Sequence, residues 1–286
     1  MIKNLKGGEV RKILPRRDKM SHKGMNGKVM VVGGSKDYYG APILSGLGAL
    51  YSGADLVYLF VPECNFDVSR SMYPDFIVKP LPGDYLDMKS VTPILDFAME
   101  CDSILLGPGV GNKRQTMEAL IKIVSGLEIP TVLDSKAIQV FQDIKEVPSQ
   151  HIAITPHHAE FETLTGKEIR VTGSVSQKVV LVRTLATDLK INILLKGPED
   201  IVASEEGEMV ANATGNSGMT VGGSGDVLSG LVASFMAQGL TGYDACQTAA
   251  FICGKVGDEL MKTKGFSYSA SDIALEIPYI IRQMTI

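Results

Sequence analysis

Between Asn212 and Asp226 the chain carries five glycines (Gly215, Gly218, Gly222, Gly223 and Gly225) and closes on an acid, directly ahead of an apolar run. Glycines let successive backbone N–H groups turn inward, and the start of the following helix adds partial positive charge. Together they form a cradle for a phosphoryl group, with Gly222, Gly223, Ser224 and Gly225 as the anion hole. Asp226 sits where a carboxylate can take the proton from a hydroxyl that attacks that phosphoryl group. The bland alternative is a tight turn with Asp226 as a helix cap; the density of glycine favours chemistry. This is no Walker A loop, because Gly27-Lys28 and Gly166-Lys167 continue with Val29 and Glu168.

Other segments add candidates. Gly107-Pro108-Gly109-Val110-Gly111 leaves one strand and the next strand ends in Asp134, an arrangement close to a dinucleotide fingerprint. Its GxGxG spacing and Pro108 make it weak as a hydride-transfer signature, yet suitable as a glycine loop against a ligand. Lys196-Gly197 closes a strand and Asp200 opens a hairpin; taken alone, the lysine reads as a solvated terminus. Thr155-Pro156-His157-His158 ends a strand and starts a helix, with Pro156 in its first turn. His157 is expected to face the strand-end crevice and His158 the solvent. No second histidine stands at metal-ligand spacing. Gly33-Gly34-Ser35 and Tyr39-Gly40-Ala41 lead into a helix of small residues that lets a ligand or a backbone come close.

These residues need a scaffold, and the hydrophobic pattern supplies one. Short apolar runs at Val29–Val32, Leu56–Val61, Ser103–Leu106, Thr131–Leu133, Ile152–Ile154 and Ile191–Leu195 read as buried strands. Helices are expected at Pro42–Ser52, Val91–Met99, Arg114–Ser125, His157–Leu164 and Val175–Leu189, then near 226–239, 243–262 and 271–284. A hairpin joins Ile201–Ala203 to Met209–Val210. The fold class is therefore α/β, with a mainly parallel sheet, helices on both faces and a small antiparallel hairpin, in one domain over residues 1–286.

Composition narrows the function classes. With 286 residues, 45% hydrophobic and 21% charged, the chain is an ordinary globular one. The four cysteines (Cys64, Cys101, Cys246, Cys253) are scattered without a CxxC pair, which speaks against a disulfide framework or zinc site. The formal charge is -4, but residues 1–23 are basic. That arm is expected to lie solvated against an acidic body, and with no RNA-binding motif nucleic acid is not an expected partner. The stretch from Val227 to Tyr243 is too polar to span a bilayer, and Glu9 and Asp18 do not suit a transit peptide. A cytoplasmic enzyme is expected.

Taken in order, Ser21-His22-Lys23-Gly24, Val31 to Ser35, Gly40-Ala41, Gly107 to Gly111, Thr155-Pro156-His157 with Glu160, Lys196-Gly197, Gly215 to Met219 and Gly225 to Leu228 resemble the ADP/ATP-dependent NAD(P)H-hydrate dehydratases. This is a branch of the ribokinase-like superfamily, and the resemblance spans roughly residues 10 to 280. It implies a ribokinase-like three-layer α/β/α fold. It also implies repair of NADH or NADPH hydrated at C6 of the nicotinamide ring (NADHX, NADPHX), driven by cleavage of ADP or ATP with Mg²⁺. On this resemblance Ala41, Gly109, Gly111, His157 and Asp226 line the hydrate site. Lys196, Gly197, Pro198, Glu199, Asp200 and Gly225 line the nucleotide site, and Asp226 is the catalytic base. No metal ligand is assigned. A homo-oligomer, a tetramer, is implied, as is an epimerase acting upstream as a separate protein. Departures are Ser224 where threonine is usual, Ser135-Lys136 within the family's Asp-Ala-Asp-Ala segment, and Pro198-Glu199-Asp200 after Lys196-Gly197. The rivals are a ribokinase-like kinase of a small alcohol or vitamin precursor, which would leave a stable phosphoester, and a non-catalytic nucleotide sensor.

Overall fold

The structure, a computed structural model, describes residues 2–144, 151–167 and 175–285. In chain order, β1 (Lys3–Asn4) and α1 (Gly7–Ile13) precede β2 (Lys28–Val32), α2 (Gly40–Tyr51), β3 (Leu56–Pro62), α3 (Glu63–Met72) and β4 (Phe76–Leu81). Then follow α4 (Val91–Ala98), β5 (Ser103–Leu106), α5 (Arg114–Val124), β6 (Thr131–Leu133), a 3-10 segment (Ser135–Gln142), β7 (Ile152–Ile154) and α6 (His158–Thr165). The last part holds α7 (Val175–Leu189), β8 (Asn192–Leu195), the hairpin β9 (Asp200–Ala203) and β10 (Met209–Asn212), α8 (Ser224–Ala237), α9 (Gly242–Lys264) and α10 (Ala270–Thr285).

All ten strands join one sheet in the order β1-β10-β9-β8-β7-β6-β5-β2-β3-β4. Among the described residues, the antiparallel strand pairs are β8/β9 and β9/β10. The central strands bury both faces, so alternate residues feed two cores. Val29 and Val31 face α2, α8, α9 and α10, whereas Met30 and Val32 face the layer of α4, α5, α6 and α7. This is the expected three-layer arrangement, and most expected elements lie within a few residues of their predicted bounds. Among the described residues no helix is long and apolar enough to cross a membrane.

Three regions differ from the pattern. The basic arm is built into the fold over its first half: β1 runs parallel to β10, and Val10 and Leu14 are buried where α1 meets α9. Their four-residue spacing on one helical face outweighs the charge around them. α3 and β4 were not expected. β4 is an edge strand with exposed Lys79 and Pro80, so it lacks the continuous apolar run of its neighbours. The helix predicted from His157 begins at His158, with His157 as its cap, which leaves Pro156 outside the first turn.

Sheet order reverses between β5 and β2: the chain builds β2, β3, β4 outward one way and β5, β6, β7, β8 the other. The loops leaving the carboxyl ends of β2 and β5 therefore diverge to opposite faces and open a crevice between them. α8 is locked beside it by close packing on α2. A Cβ on Gly48 would stand 2.2 Å from the Val227 carbonyl oxygen, and one on Gly230 would stand 2.0 Å from that of Ser45. Backbone cannot yield there. Replacing a helical glycine by alanine ordinarily gains about 1 kcal/mol. Gly230→Ala is expected instead to lose roughly 2–3 kcal/mol in denaturant unfolding, whereas Gly8→Ala in α1, with open space around it, is expected to be neutral or stabilising.

Candidate active site

Every polar group of interest leaves the carboxyl end of a parallel strand or the start of α8. At the crevice, the Gly34 N–H donates to the Pro108 carbonyl (2.8 Å) and the Gly107 N–H to that of Val32 (3.1 Å). Ser35 Oγ donates to the Gly109 carbonyl at 2.8 Å. Gly107 has a φ of +118° and no room for a side chain, since a Cβ would lie 2.0 Å from the Asp134 carbonyl oxygen. The dinucleotide-like glycine spacing thus serves, at Gly107, the approach of β5 to β6. Gly109 faces Ala41, with its Cβ position 3.0 Å from the alanine Cβ, and Gly111 faces Ser35 and Tyr85. The structure brings Ala41, Gly109 and Gly111 together in the crevice.

The strands on the other side of β5 end in a charged cluster. Asp134 follows β6, Thr155 follows β7 and Lys196 follows β8. Lys196 Nζ lies 3.0 Å from Asp134 Oδ1, and Thr155 Oγ1 donates to the same oxygen at 2.7 Å. The Lys196 and Asp134 side chains are only 18% and 4% exposed. Lys196 is therefore mostly withdrawn from solvent, contrary to the solvated terminus its position alone suggests. The polar ends of three neighbouring buried strands share one charge network. Burial by itself would lower the Lys196 pKa, but the carboxylates of Asp134 and Glu160 hold it above the ordinary lysine range. Glu160 is pushed up by burial, with Lys196 opposing.

Asp226 stands at the third position of α8. Burial, then the charge on Asp134, pushes its pKa up to about 7, with Lys196 drawing it back. A carboxylate poised near neutral pH has the property a general base needs. Around it, the N–H groups of Gly222, Gly223, Gly225 and Asp226 have no hydrogen-bond partner among the described residues, whereas that of Ser224, expected in the anion hole, is taken by the Val221 carbonyl at 3.3 Å as the chain turns into the helix. Gly223 adopts φ +93° at the helix cap. Four unpaired amides at the start of a fourteen-residue helix form a site for negative charge.

Beyond Lys196 opens a cleft of about 630 Å³. His157, His158, Lys196 and Asp200 give its lining polar side chains, Met219, Leu228, Ala250 and Cys253 give apolar ones, and Gly197, Pro198 and Gly225 also line it. Glu199 does not line it. Asp200 holds the turn as well as facing the cleft: its carboxylate accepts from the Gly197 N–H and from Asn212 Nδ2, both at 3.0 Å, while burial raises its pKa to about 6. Cys253 is an inert thiol, raised to about 12 by burial.

Both histidines line the cleft, His157 as expected, whereas His158 is not in the solvent. His157 Nδ1 accepts the Glu160 N–H at 3.1 Å, so a neutral ring carries its proton on Nε2; the side chain is 55% exposed. His158 is half-buried against Gly197, its Nε2 has no partner among the described residues, and burial lowers its pKa. An N-cap side chain turns back along its own helix, which swings the next residue inward. Asn216 is a site residue whose role the sequence did not assign. Its Oδ1 accepts from the Gly218 N–H at 3.0 Å and from Tyr268 Oη at 2.9 Å, while its Nδ2 is buried without a partner among the described residues. No group of three or more His, Cys, Asp and Glu that could hold a metal ion occurs among the described residues. A divalent ion here would have to bring most of its ligands with a phosphorylated substrate, as Mg²⁺ commonly does.

A family profile described as NAD(P)H-hydrate dehydratase matches residues 29–279. The bifunctional NAD(P)H-hydrate repair enzyme Nnr of Methanothermobacter thermautotrophicus is 36% identical over 273 residues, covering 94% of this chain and 52% of that protein. The chain thus spans about half the length of such bifunctional relatives. The ADP-dependent (S)-NAD(P)H-hydrate dehydratase of Cenarchaeum symbiosum is 34% identical over 276 residues, covering 96% of this chain and 95% of that protein. In fold, the chain is similar to an ADP/ATP-dependent NAD(P)H-hydrate dehydratase from Bacillus subtilis co-crystallised with ATP and Mg²⁺. That structure has a TM-score of 0.84, 23% identity and 99% coverage of both chains.

The raised Asp226 pKa has a consequence for stability. Between its unfolded value of 3.8 and its folded value of about 7 the native state binds the extra proton, so stability falls as pH rises through that window. Above pH 7 the whole penalty of a half-buried carboxylate remains. Asp226→Asn is therefore expected to raise Tm at pH 8, by about 2–4 °C for each kcal/mol relieved. The gain should vanish near pH 4, as thermal scans at the two pH values would show.

Proposed function

The chain belongs to the NAD(P)H-hydrate dehydratase family, and from that premise we propose that it restores (S)-NADHX and (S)-NADPHX to NADH and NADPH at the expense of ADP. One observation carries the reading. A half-buried carboxylate with a pKa near 7, Asp226, lies among four unpaired amides between a glycine-lined crevice and a separate 630 Å³ cleft. Two ligands can meet there, one from each side.

The chemistry follows from a leaving-group problem. Hydroxide departs poorly from C6 of the hydrated ring, whereas phosphate departs readily. The hydrate enters through the crevice past Ala41, Gly109 and Gly111, and His157 and Asp226 complete its site. The donor nucleotide occupies the cleft along Lys196, Gly197, Pro198, Asp200 and Gly225. Asp226 takes the C6 hydroxyl proton as that oxygen attacks the terminal phosphoryl group. The bond to the remaining nucleotide breaks, and AMP leaves from ADP. The amides of Gly222, Gly223, Gly225 and Asp226 hold the charge developing on the phosphoryl oxygens, already oriented before the reaction begins. The ring nitrogen then pushes out phosphate, and loss of the neighbouring proton restores the double bond. Mg²⁺, when bound with the nucleotide, supplies further charge neutralisation. Lys196 keeps Asp134 and Glu160 from leaving an unbalanced negative field beside the phosphates. Support for ADP as donor comes from the Cenarchaeum symbiosum relative, which is described as ADP-dependent. The full length is taken to act as one dehydratase domain.

The test is recovery of nicotinamide absorbance by purified protein given NADHX or NADPHX with Mg²⁺ and ADP or ATP. Phosphate and NAD(P)H should appear in equal amounts. A stable phosphoester without absorbance recovery would identify a kinase instead. Asp226→Asn is expected to lose about 10³-fold or more in kcat with nucleotide binding retained. For the wild type, kcat/KM should rise with pH as Asp226 ionises and reach half its plateau near pH 7, within about a unit. A flat profile from pH 5 to 9 would remove Asp226 as the base.

A further inference from the structure

Beyond Gly109 and Gly111 the crevice continues into a group of aromatic and basic side chains that the reaction as described leaves unused. Three loops meet there, following β2, β4 and β5. Tyr38 stands against Gly109 and is 58% exposed. Tyr85 stands against Gly111, with its ring edge 3.8 Å from the glycine's Cβ position, and its hydroxyl donates to Asp37 at 3.1 Å. Lys113 places its Nζ 5.0 Å from the Tyr85 ring centroid. Lys36 is paired with Asp84 at 3.4 Å. Lys113 makes no ion pair among the described residues. An ammonium over the ring of a tethered tyrosine, with no carboxylate within ion-pair distance among the described residues, is open to an anionic group of a ligand.

The position along the substrate's path says which ligand. Asp226 fixes the nicotinamide end, beside Gly223, whose Cβ position touches Leu44 of α2. From Leu44 back to Ala41 is about 4.5 Å along the helix axis, and Ala41 is against Gly109. The glycine loop then leads outward to Tyr85 and Lys113. A dinucleotide with its hydrated ring at Asp226 runs the same way, pyrophosphate along the glycines and the second nucleoside beyond them. The opposite direction is closed to it by the donor nucleotide in the cleft. Resting on the dehydratase reading, we propose that Tyr85 and Lys113 form the subsite for the distal nucleoside. Lys113 is then the residue that distinguishes a 2′-phosphorylated dinucleotide from the unphosphorylated one. Tyr38 and Tyr85 supply stacking surface common to both. Lys113 supplies the charge that only the 2′-phosphate answers.

Lys113→Ala and Lys113→Arg would be compared with the wild type in kcat/KM for NADPHX and NADHX, and in affinity for NADPH and NADH followed by dihydronicotinamide fluorescence. The ratio of NADPHX to NADHX should fall about tenfold in Lys113→Ala, the size of one charge-assisted contact, and recover in Lys113→Arg. The NADPH to NADH affinity ratio should move in parallel. Tyr85→Ala should weaken both dinucleotides alike, and Tyr85→Phe should not. An unchanged ratio in Lys113→Ala, or an equal loss for both, would overturn the assignment. If the wild type turned over neither hydrate, the dehydratase reading would fail. The NADPH to NADH affinity ratio would still test Lys113 separately.

Discussion

One cation withdrawn from solvent organises this end of the molecule. Lys196 is lowered into a region shared by Asp134, Glu160 and Asp226, where ions cost several kcal/mol each to desolvate unless they are paired. Each group limits what the others can do. Without Lys196, Asp134 would be left buried and uncompensated at the end of β6; without the acids, burial would strip the lysine of its proton. Asp226 feels the balance of both signs and comes to rest near neutrality rather than at an ordinary carboxylate value. Its pKa near neutrality is therefore a property of the cluster and not of Asp226 alone.

The cluster depends in turn on close backbone approach. Strands β6, β7 and β8 are adjacent and parallel, so the residues just past their ends are neighbours by construction. Gly107 lets β5 and its loop come against Asp134, and Gly48 and Gly230 let α8 lie deep against α2 with its first turn facing the charges. The unpaired amides of Gly222, Gly223, Gly225 and Asp226 are left open because the chain enters α8 through Gly223 in the left-handed region, a conformation that side chains resist. Ligand binding and packing thus draw on the same glycines, which is why a glycine loop read as purely functional gives half the story.

The sheet's reversal between β2 and β5 leaves a crevice and a separate cleft on either side of Asp226. The cleft toward β8 and the hairpin is partly apolar. The crevice toward β4 is open and edged with tyrosines and lysines. A reaction that joins a phosphoryl donor to a hydroxyl acceptor, while keeping water from the donor, calls for this kind of asymmetry.

Much of this was legible in the sequence by itself. Buried parallel strands announce themselves as continuous apolar runs, so five of the strands around the site and the helices between them follow from residue order. The glycine-rich approach to Asp226 is equally local, because the physics of a helix start needs only consecutive residues. The environments of side chains were another matter. Lys196 looked solvated because one lysine after a strand carries no record of Asp134, sixty-two residues away in sequence. His158 left the solvent because it packs against Gly197, a contact that its neighbours in sequence do not announce. Residues 3–14 became part of the sheet and its helical layer only because β10 and α9 offered partners. Periodicity and glycine content are encoded along the chain. Burial, charge coupling and the meeting of two ligand regions at one carboxylate arise from which strand ends lie side by side, and only the tertiary structure decides that.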